Sequence, residues 1–131
     1  MSDMYTERLL DHYRHPRNKG HLGAADAASG PGRVVAAQEY NPLCGDRVTI
    51  EARLDGDRVA EIRFDGRGCA LCLAAASILT ETVQGRSLED LAGLSQEEFL
   101  AELQLPIRPA RLKCALLPWR AFRHAAFGEQ D

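Results

Sequence analysis

The stretch from Arg47 to Phe64, RVTIEARLDGDRVAEIRF, leaves a folding chain few options. Val48, Ile50, Ala52 and Leu54 alternate with Arg47, Thr49, Glu51 and Arg53. This period of two belongs to a strand that buries one face. Asp55-Gly56-Asp57 supplies a tight turn, because glycine accepts the positive φ that such turns need. Arg58 to Phe64 then returns with Ala60, Ile62 and Phe64 on one side. A third extended run, Arg33 to Tyr40, comes before these two and ends at Asn41-Pro42. Together the three runs predict an antiparallel meander with one wet face.

Outside the meander the period changes. Tyr5, Leu9 and Tyr13 recur at spacings of four, which predicts a helix from Asp3 to about His15, stopped by Pro16. Residues 18 to 32, rich in Gly, Ala and Ser, read as a loop. After Phe64, DGRG breaks the strand, and CALCLAAASILTETVQ reads as a small-residue helix closed by Gly85. Ser87 and Ser95 each precede an acid by three, at Asp90 and Glu98, which marks two short capped helices. LQLPIRP breaks again at Pro106 and Pro109, and a long last helix runs from about Pro109 to Phe127. Pro118 cannot donate to the carbonyl of Cys114. The sequence therefore predicts irregular backbone near Cys114, as a bend or a new helical turn. The fold class is α+β, a small three-stranded antiparallel sheet with helices on one face.

With 131 residues, the chain has the size of one domain with one modest core. A formal charge of −3 argues against a general nucleic-acid binder. The longest apolar run, Cys69 to Leu79, is too short to span a bilayer. The N-terminus carries no signal-peptide core. These features lead us to expect a cytoplasmic protein with neither nucleic acid nor membrane as partner.

In a reducing compartment the four cysteines, Cys44, Cys69, Cys72 and Cys114, are expected to be thiols rather than bridges. They form one CxxC and two distant singles, not the paired CxxC of a zinc ribbon. Spacing alone leaves a metal site and separate buried thiols both open. Topology narrows the choice. In a meander the first turn and the end of the third strand share an edge of the sheet, which brings Cys44, Asp46 and Cys69 within reach of one another. Gly45 allows a tight fold between the two arms of NPLCGD. Cys69 lies at a helix N-terminus, where the positive end of the dipole favours a thiolate. Arg111 and Lys113 precede Cys114 and act on it in the same direction.

Each of these residues also has a plainer role open to it. A free cysteine is commonly buried as a small hydrophobe, and Cys72 is the best candidate for that role. A thioredoxin-like CxxC lacks its βαβ unit here. Asp46 suits a turn cap and Arg47 a solvated strand. His12, His15, His21 and His124 show no ligand spacing and read as surface or interface residues. From Arg108 to His124 there are five Arg or Lys residues and no acid. That stretch is either a solvated helix face or a docking strip for an acidic partner.

YTERLLDHYRHPRNKGHL, NPLCGDRVTI, LDGDRVAEIRFDGRGCALCLAAASILTE and RLKCALLPW, taken in order, resemble the U-type iron–sulfur cluster assembly family of IscU, SufU and NifU N-terminal proteins. The resemblance covers nearly the whole chain. It implies that Cys44, Asp46, Cys69 and Cys114 fall on metal- and cluster-binding positions, for Zn²⁺ or a [2Fe–2S] cluster. It also implies a pyridoxal-phosphate cysteine desulfurase as sulfur donor, with Cys44 as persulfide acceptor. Apo iron–sulfur proteins or another scaffold would receive the product. Three thiolates and a carboxylate on Zn²⁺ would carry a net charge of about −2, for which Arg47, Arg67, Arg111 and Lys113 are the available cations.

The chain departs from the family pattern in several places. Lys113 stands where many scaffold-type members have histidine. With Arg47 and the Leu117-Pro118-Trp119 segment, it points toward the SufU branch. SufU proteins usually carry an insertion of roughly twenty residues before the third motif, long for a connection in a compact domain; here that connection is short. Cys72 replaces the usual serine, and LPIRP only half resembles the chaperone-binding stretch of IscU proteins. A scaffold and a sulfur shuttle are both consistent with the motifs. A non-catalytic binding or regulatory module stabilised by zinc is the alternative from another class.

Overall fold

The computed structural model describes residues 6–22, 31–105 and 107–129. In chain order the elements are α1 (Glu7–Arg14), β1 (Arg33–Asn41), β2 (Asp46–Asp55), β3 (Arg58–Arg67), α2 (Ala70–Val83), α3 (Leu88–Ala92), α4 (Gln96–Leu103) and α5 (Leu112–Phe127). A 3₁₀ turn, Pro109–Arg111, leads into α5. The sheet is antiparallel in the order β1-β2-β3. Helix α5 packs on β1 and β2, α2 packs on β3 and α5, and α1 packs on α2.

The central strand behaves as its alternation predicts. Val48, Ile50, Ala52 and Leu54 are all buried in the core. Burying each of the larger ones stabilises the fold by about 1.5–3 kcal/mol. On the return strand the structure corrects the expected face. The register slips between Arg53 and Leu54, which pair with Glu61 and Val59 respectively. Ala60 is therefore the extra residue of a β-bulge. Val59, Ile62 and Phe64 face the core, while Ala60 is only half-buried. Strand β3 also runs on through Asp65 to Arg67, with Gly66 paired to Val48, so the DGRG segment does not end it before Arg67.

Helix α2 is buried almost all round, which its Ala74-Ala75-Ala76 run permits, since small side chains allow close packing. Its two buried hydroxyls, on Ser77 and Thr80, need partners, and the segment after α1 supplies them. Ser77 Oγ accepts the Arg17 N–H at 2.8 Å and shares a 2.7 Å hydrogen bond with His12 Nδ1. Asn18 Nδ2 donates to Thr80 Oγ1 at 3.1 Å. The chain then pairs with β3 through Gly20 N–H to Phe64 O and Phe64 N–H to Asn18 O.

Two expectations for α1 are corrected here. Thr6 caps the helix by accepting the Leu9 N–H. Of the expected apolar face, Leu9 is buried and Tyr13 is exposed, while Asp3 to Tyr5 lie outside the described residues. The buried partner of Leu9 is His12, which is not a surface residue at all. Residues 23–30 of the expected loop and Pro106 of the expected break also lie outside the described residues.

The outer face of the sheet is less wet than expected. Leu22 is buried, its N–H donates to Glu51 Oε1, and His21 bridges Glu51 and Asp65 at 3.0 Å each. Arg53 reaches the carbonyl of Pro31.

The capping signals of the C-terminal half hold. Ser87 caps α3, and Ser95 with Glu98 makes a reciprocal capping box on α4. Of the two alternatives for the backbone near Cys114, a new helical turn starting at Pro118 is not what forms. Helix α5 continues unbroken from Leu112 to Phe127 with Pro118 inside it, and the irregular turn lies before Leu112. No helix among the described residues is long and apolar enough to cross a membrane.

Candidate metal centre

Residues 41 to 46 form a tight connection whose ends, Asn41 and Asp46, are paired across β1 and β2. Asn41 is buried and holds the turn from inside. Its carbonyl accepts the Gly45 N–H at 2.7 Å, and its side-chain Oδ1 accepts the Leu43 N–H at 3.0 Å. Gly45 has φ of 78°, a left-handed value that an L side chain adopts only with strain. The turn leaves Cys44 exposed at its tip and sends Asp46 inward, 5% exposed.

Cys114 comes to the same place from the first turn of α5, because that helix lies across β1 and β2. Its Sγ is 3.7 Å from Cys44 Sγ. Among the described residues, Cys44, Asp46 and Cys114 form a group whose ligand atoms all lie within 4.8 Å of one another. The lowering expected from Arg111 and Lys113 is corrected: burial, then the hydrogen bond with Cys44, and then the nearby Cys69 and Asp46 charges push the Cys114 thiol up to about 12. Such a thiol keeps its proton until a cation displaces it.

Cys69 lies beside this group and outside it. It is the N-cap of α2, and its Sγ accepts the Cys72 N–H at 3.4 Å. Cys72 is fully buried, and burial raises its thiol far above the ordinary range. Arg47, Arg67, Arg111 and Lys113 are all exposed. Arg47 follows Asp46 along β2, and so alternates to the other side of the strand, where it is paired with Arg67.

The donors fit a metal on two observations. Two sulfurs held at ~2.3 Å by one tetrahedral zinc stand about 3.8 Å apart, close to the separation found here. Asp46 Oδ2 is buried with no hydrogen-bond partner. A buried carboxylate oxygen without a partner is costly, and a cation would satisfy it.

Residues 4–128 match the family described as the NifU-like N terminal domain. The chain belongs to that family. The chain is similar to the zinc-dependent sulfurtransferase SufU of Bacillus subtilis (strain 168), 30% identical over 147 residues, 99% of this chain and 94% of SufU. That alignment is longer than the 131 residues here, so SufU carries residues that this chain lacks. The iron–sulfur cluster assembly scaffold protein IscU of Haemophilus influenzae is 34% identical over 122 residues, 92% of this chain and 91% of IscU. Among solved structures, a hypothetical protein superposes with a TM-score of 0.76 at 29% identity, covering 96% of this chain and 98% of that one. FiSufU of Fervidobacterium islandicum AW-1 superposes at 0.73 with 24% identity, covering 94% and 96%, and so speaks for the fold alone.

One feature of the C-terminal helix was not legible in the sequence. Arg123 donates to the carbonyls of Leu91, Ala92 and Leu94, pairs with Glu129 and lies over the rings of Trp119 and Phe127. Arg120 pairs with Glu39 on β1. This half of the basic stretch is tied into the fold rather than freely solvated. The residues that lie exposed are Arg108, Arg111 and Lys113.

Proposed function

We propose that this chain is an iron–sulfur cluster assembly protein that holds a metal ion through Cys44, Asp46, Cys69 and Cys114 and accepts sulfane sulfur from a cysteine desulfurase on Cys44. The observation that carries this reading is the approach of Cys44 Sγ to Cys114 Sγ at 3.7 Å beside an unpartnered buried carboxylate oxygen. Family membership and likeness to both SufU and IscU support it.

The parts divide by exposure. Cys44 sits at the tip of an exposed turn with exposed Leu43 beside it, where a partner's persulfide can reach it. Cys114 and Asp46 are buried and form the fixed wall. Cys69 completes the set by turning its sulfur from the α2 cap toward the other three donors. Zn²⁺, when bound, holds the thiols as thiolates at neutral pH. In the transfer step, the Cys44 thiolate attacks the outer sulfur of the desulfurase persulfide. A new S–S bond forms on Cys44, the S–S bond on the desulfurase breaks, and the desulfurase cysteine leaves as a thiolate. Iron and the nascent [2Fe–2S] cluster are the cargo of a scaffold, and sulfur alone is the cargo of a shuttle.

Anaerobic reconstitution with iron, cysteine and a desulfurase tests the proposal and separates the two roles. A stable visible cluster on wild-type protein and none on Cys69→Ser identifies a scaffold. Faster desulfurase turnover with zinc retained and no cluster identifies a shuttle. Absence of both outcomes on wild-type protein would contradict the proposal.

A further inference from the structure

Gly68 immediately precedes Cys69, yet its backbone does not require glycine, since it is absent from the positive-φ positions of the chain. A side chain there meets something else. An ideal Cβ built on Gly68 would lie 2.8 Å from Asp46 Cγ and 3.1 Å from each carboxylate oxygen. Non-bonded carbons make their best contacts at about 3.5–4.0 Å. The nearest atoms are those of the carboxylate, which therefore occupies the space a methyl group would take. Gly66, two residues earlier, is a different case. Its Cβ would strike the Arg47 carbonyl, so it is glycine for the sake of strand pairing.

Resting on the metal reading above, we infer that Gly68 is a positioning residue for the fourth arm of the site. By carrying no side chain, it lets the Asp46 carboxylate lie against the backbone that leads into α2, facing Cys44 and Cys114. Asp46 is 5% exposed and its Oδ2 has no partner, so no hydrogen bond to that oxygen fixes its direction. Steric shape does so instead: the turn at Gly45 sends the side chain inward, and Gly68 leaves the slot open. A methyl group at position 68 would push the carboxylate out of the slot while all four donor residues stayed in the chain. Gly68→Ala should then reproduce the metal-binding defect of Asp46→Ala.

Four proteins test this: wild type, Gly68→Ala, Asp46→Ala and the double variant, each checked for folding by circular dichroism. The first readout needs no metal. In the metal-free protein the carboxyl ¹³C resonance of Asp46 is expected to move in Gly68→Ala. The second is zinc affinity by competition with a chelator. Gly68→Ala is expected to weaken it roughly tenfold to a hundredfold in the wild-type background, as loss of a ligand-orienting group does. In the Asp46→Ala background the same change should alter it by no more than about twofold, because coupled changes are not additive. The double variant has room for the methyl group and keeps the test open should Gly68→Ala fold poorly. An unmoved Asp46 resonance overturns the inference, and so do equal losses of zinc affinity in the two backgrounds. A wild-type protein that binds no zinc overturns the metal reading itself, and the positioning role with it, even if the resonance moves.

Discussion

Asp46 begins β2 and Cys114 lies in the first turn of α5, yet their ligand atoms lie within 4.8 Å of each other. Both are buried, and Asp46 Oδ2 has no hydrogen-bond partner. The metal-free fold therefore holds an acid in a place that is poor for an acid and good for a cation. That tension has an observable consequence. Metal-free Asp46→Ala is expected to be more stable than metal-free wild type by about 1 kcal/mol, because a buried unpaired acceptor has been removed. With zinc present the order reverses. Urea unfolding with and without zinc checks both signs.

Zinc itself should stabilise the wild-type protein by mass action. At a free concentration of a hundred times Kd the expected gain is about 2.7 kcal/mol. Cys114→Ala removes a buried arm and should abolish most of that gain, measured as the zinc-dependent rise in Tm. Cys72→Ser, which removes a sulfur outside the donor group, should keep the zinc-dependent rise.

His12 gives the fold a pH dependence of definite sign. Burial lowers its pKa from the ordinary histidine value, with Arg17 and Arg8 adding to the effect and Glu81 and Asp11 opposing it. Below the unfolded-state value the unfolded chain binds the proton more readily than the native one. The contribution to stability is therefore full above about pH 6.5 and is lost as pH falls through the window beneath it. His21 acts the other way, since Glu51 and Asp65 raise its pKa. Its contribution is present at low pH and lost as pH rises through its folded value, but it is exposed and screened. Urea midpoints from pH 5 to 8 should rise with pH in wild type, and the slope should flatten in His12→Gln.

Arg123→Ala is expected to cost about 1–3 kcal/mol of stability, because three backbone carbonyls at and after the end of α3 lose a half-buried donor. The effect on desulfurase binding should be small by comparison. Charge reversal at the exposed Arg111 and Lys113 should show the opposite split, with little change in Tm and weaker, salt-dependent binding. Calorimetric unfolding and a desulfurase pull-down across salt concentrations separate the two cases.

Local sequence signals account for most of the frame. The alternation of Val48 to Leu54, the turn at Gly56 and the caps at Ser87 and Ser95 each act within a few residues, and each appears where its pattern places it. Features set by partners distant in sequence were hidden. The bulge at Ala60 depends on how β3 fits β2, and nothing in RVAEIRF marks it. His12 looks polar in a helical pattern, and Ser77, sixty-five residues away, together with Glu81 makes burial tolerable. Arg123 reads as one more surface cation until α3 presents its carbonyls. At the site, the shared sheet edge of Cys44, Asp46 and Cys69 follows from the meander. The approach of Cys114 depends on where α5 lies across β1 and β2, and on the sequence side it came only from family resemblance.

X-ray absorption at the zinc edge of the zinc-loaded wild-type protein tests the central claim most directly. Three sulfurs at about 2.3 Å with one oxygen at about 2.0–2.2 Å are expected if Cys69 leaves its cap to join Cys44, Cys114 and Asp46. A first shell with fewer than three sulfurs, or with none, would contradict the four-residue site.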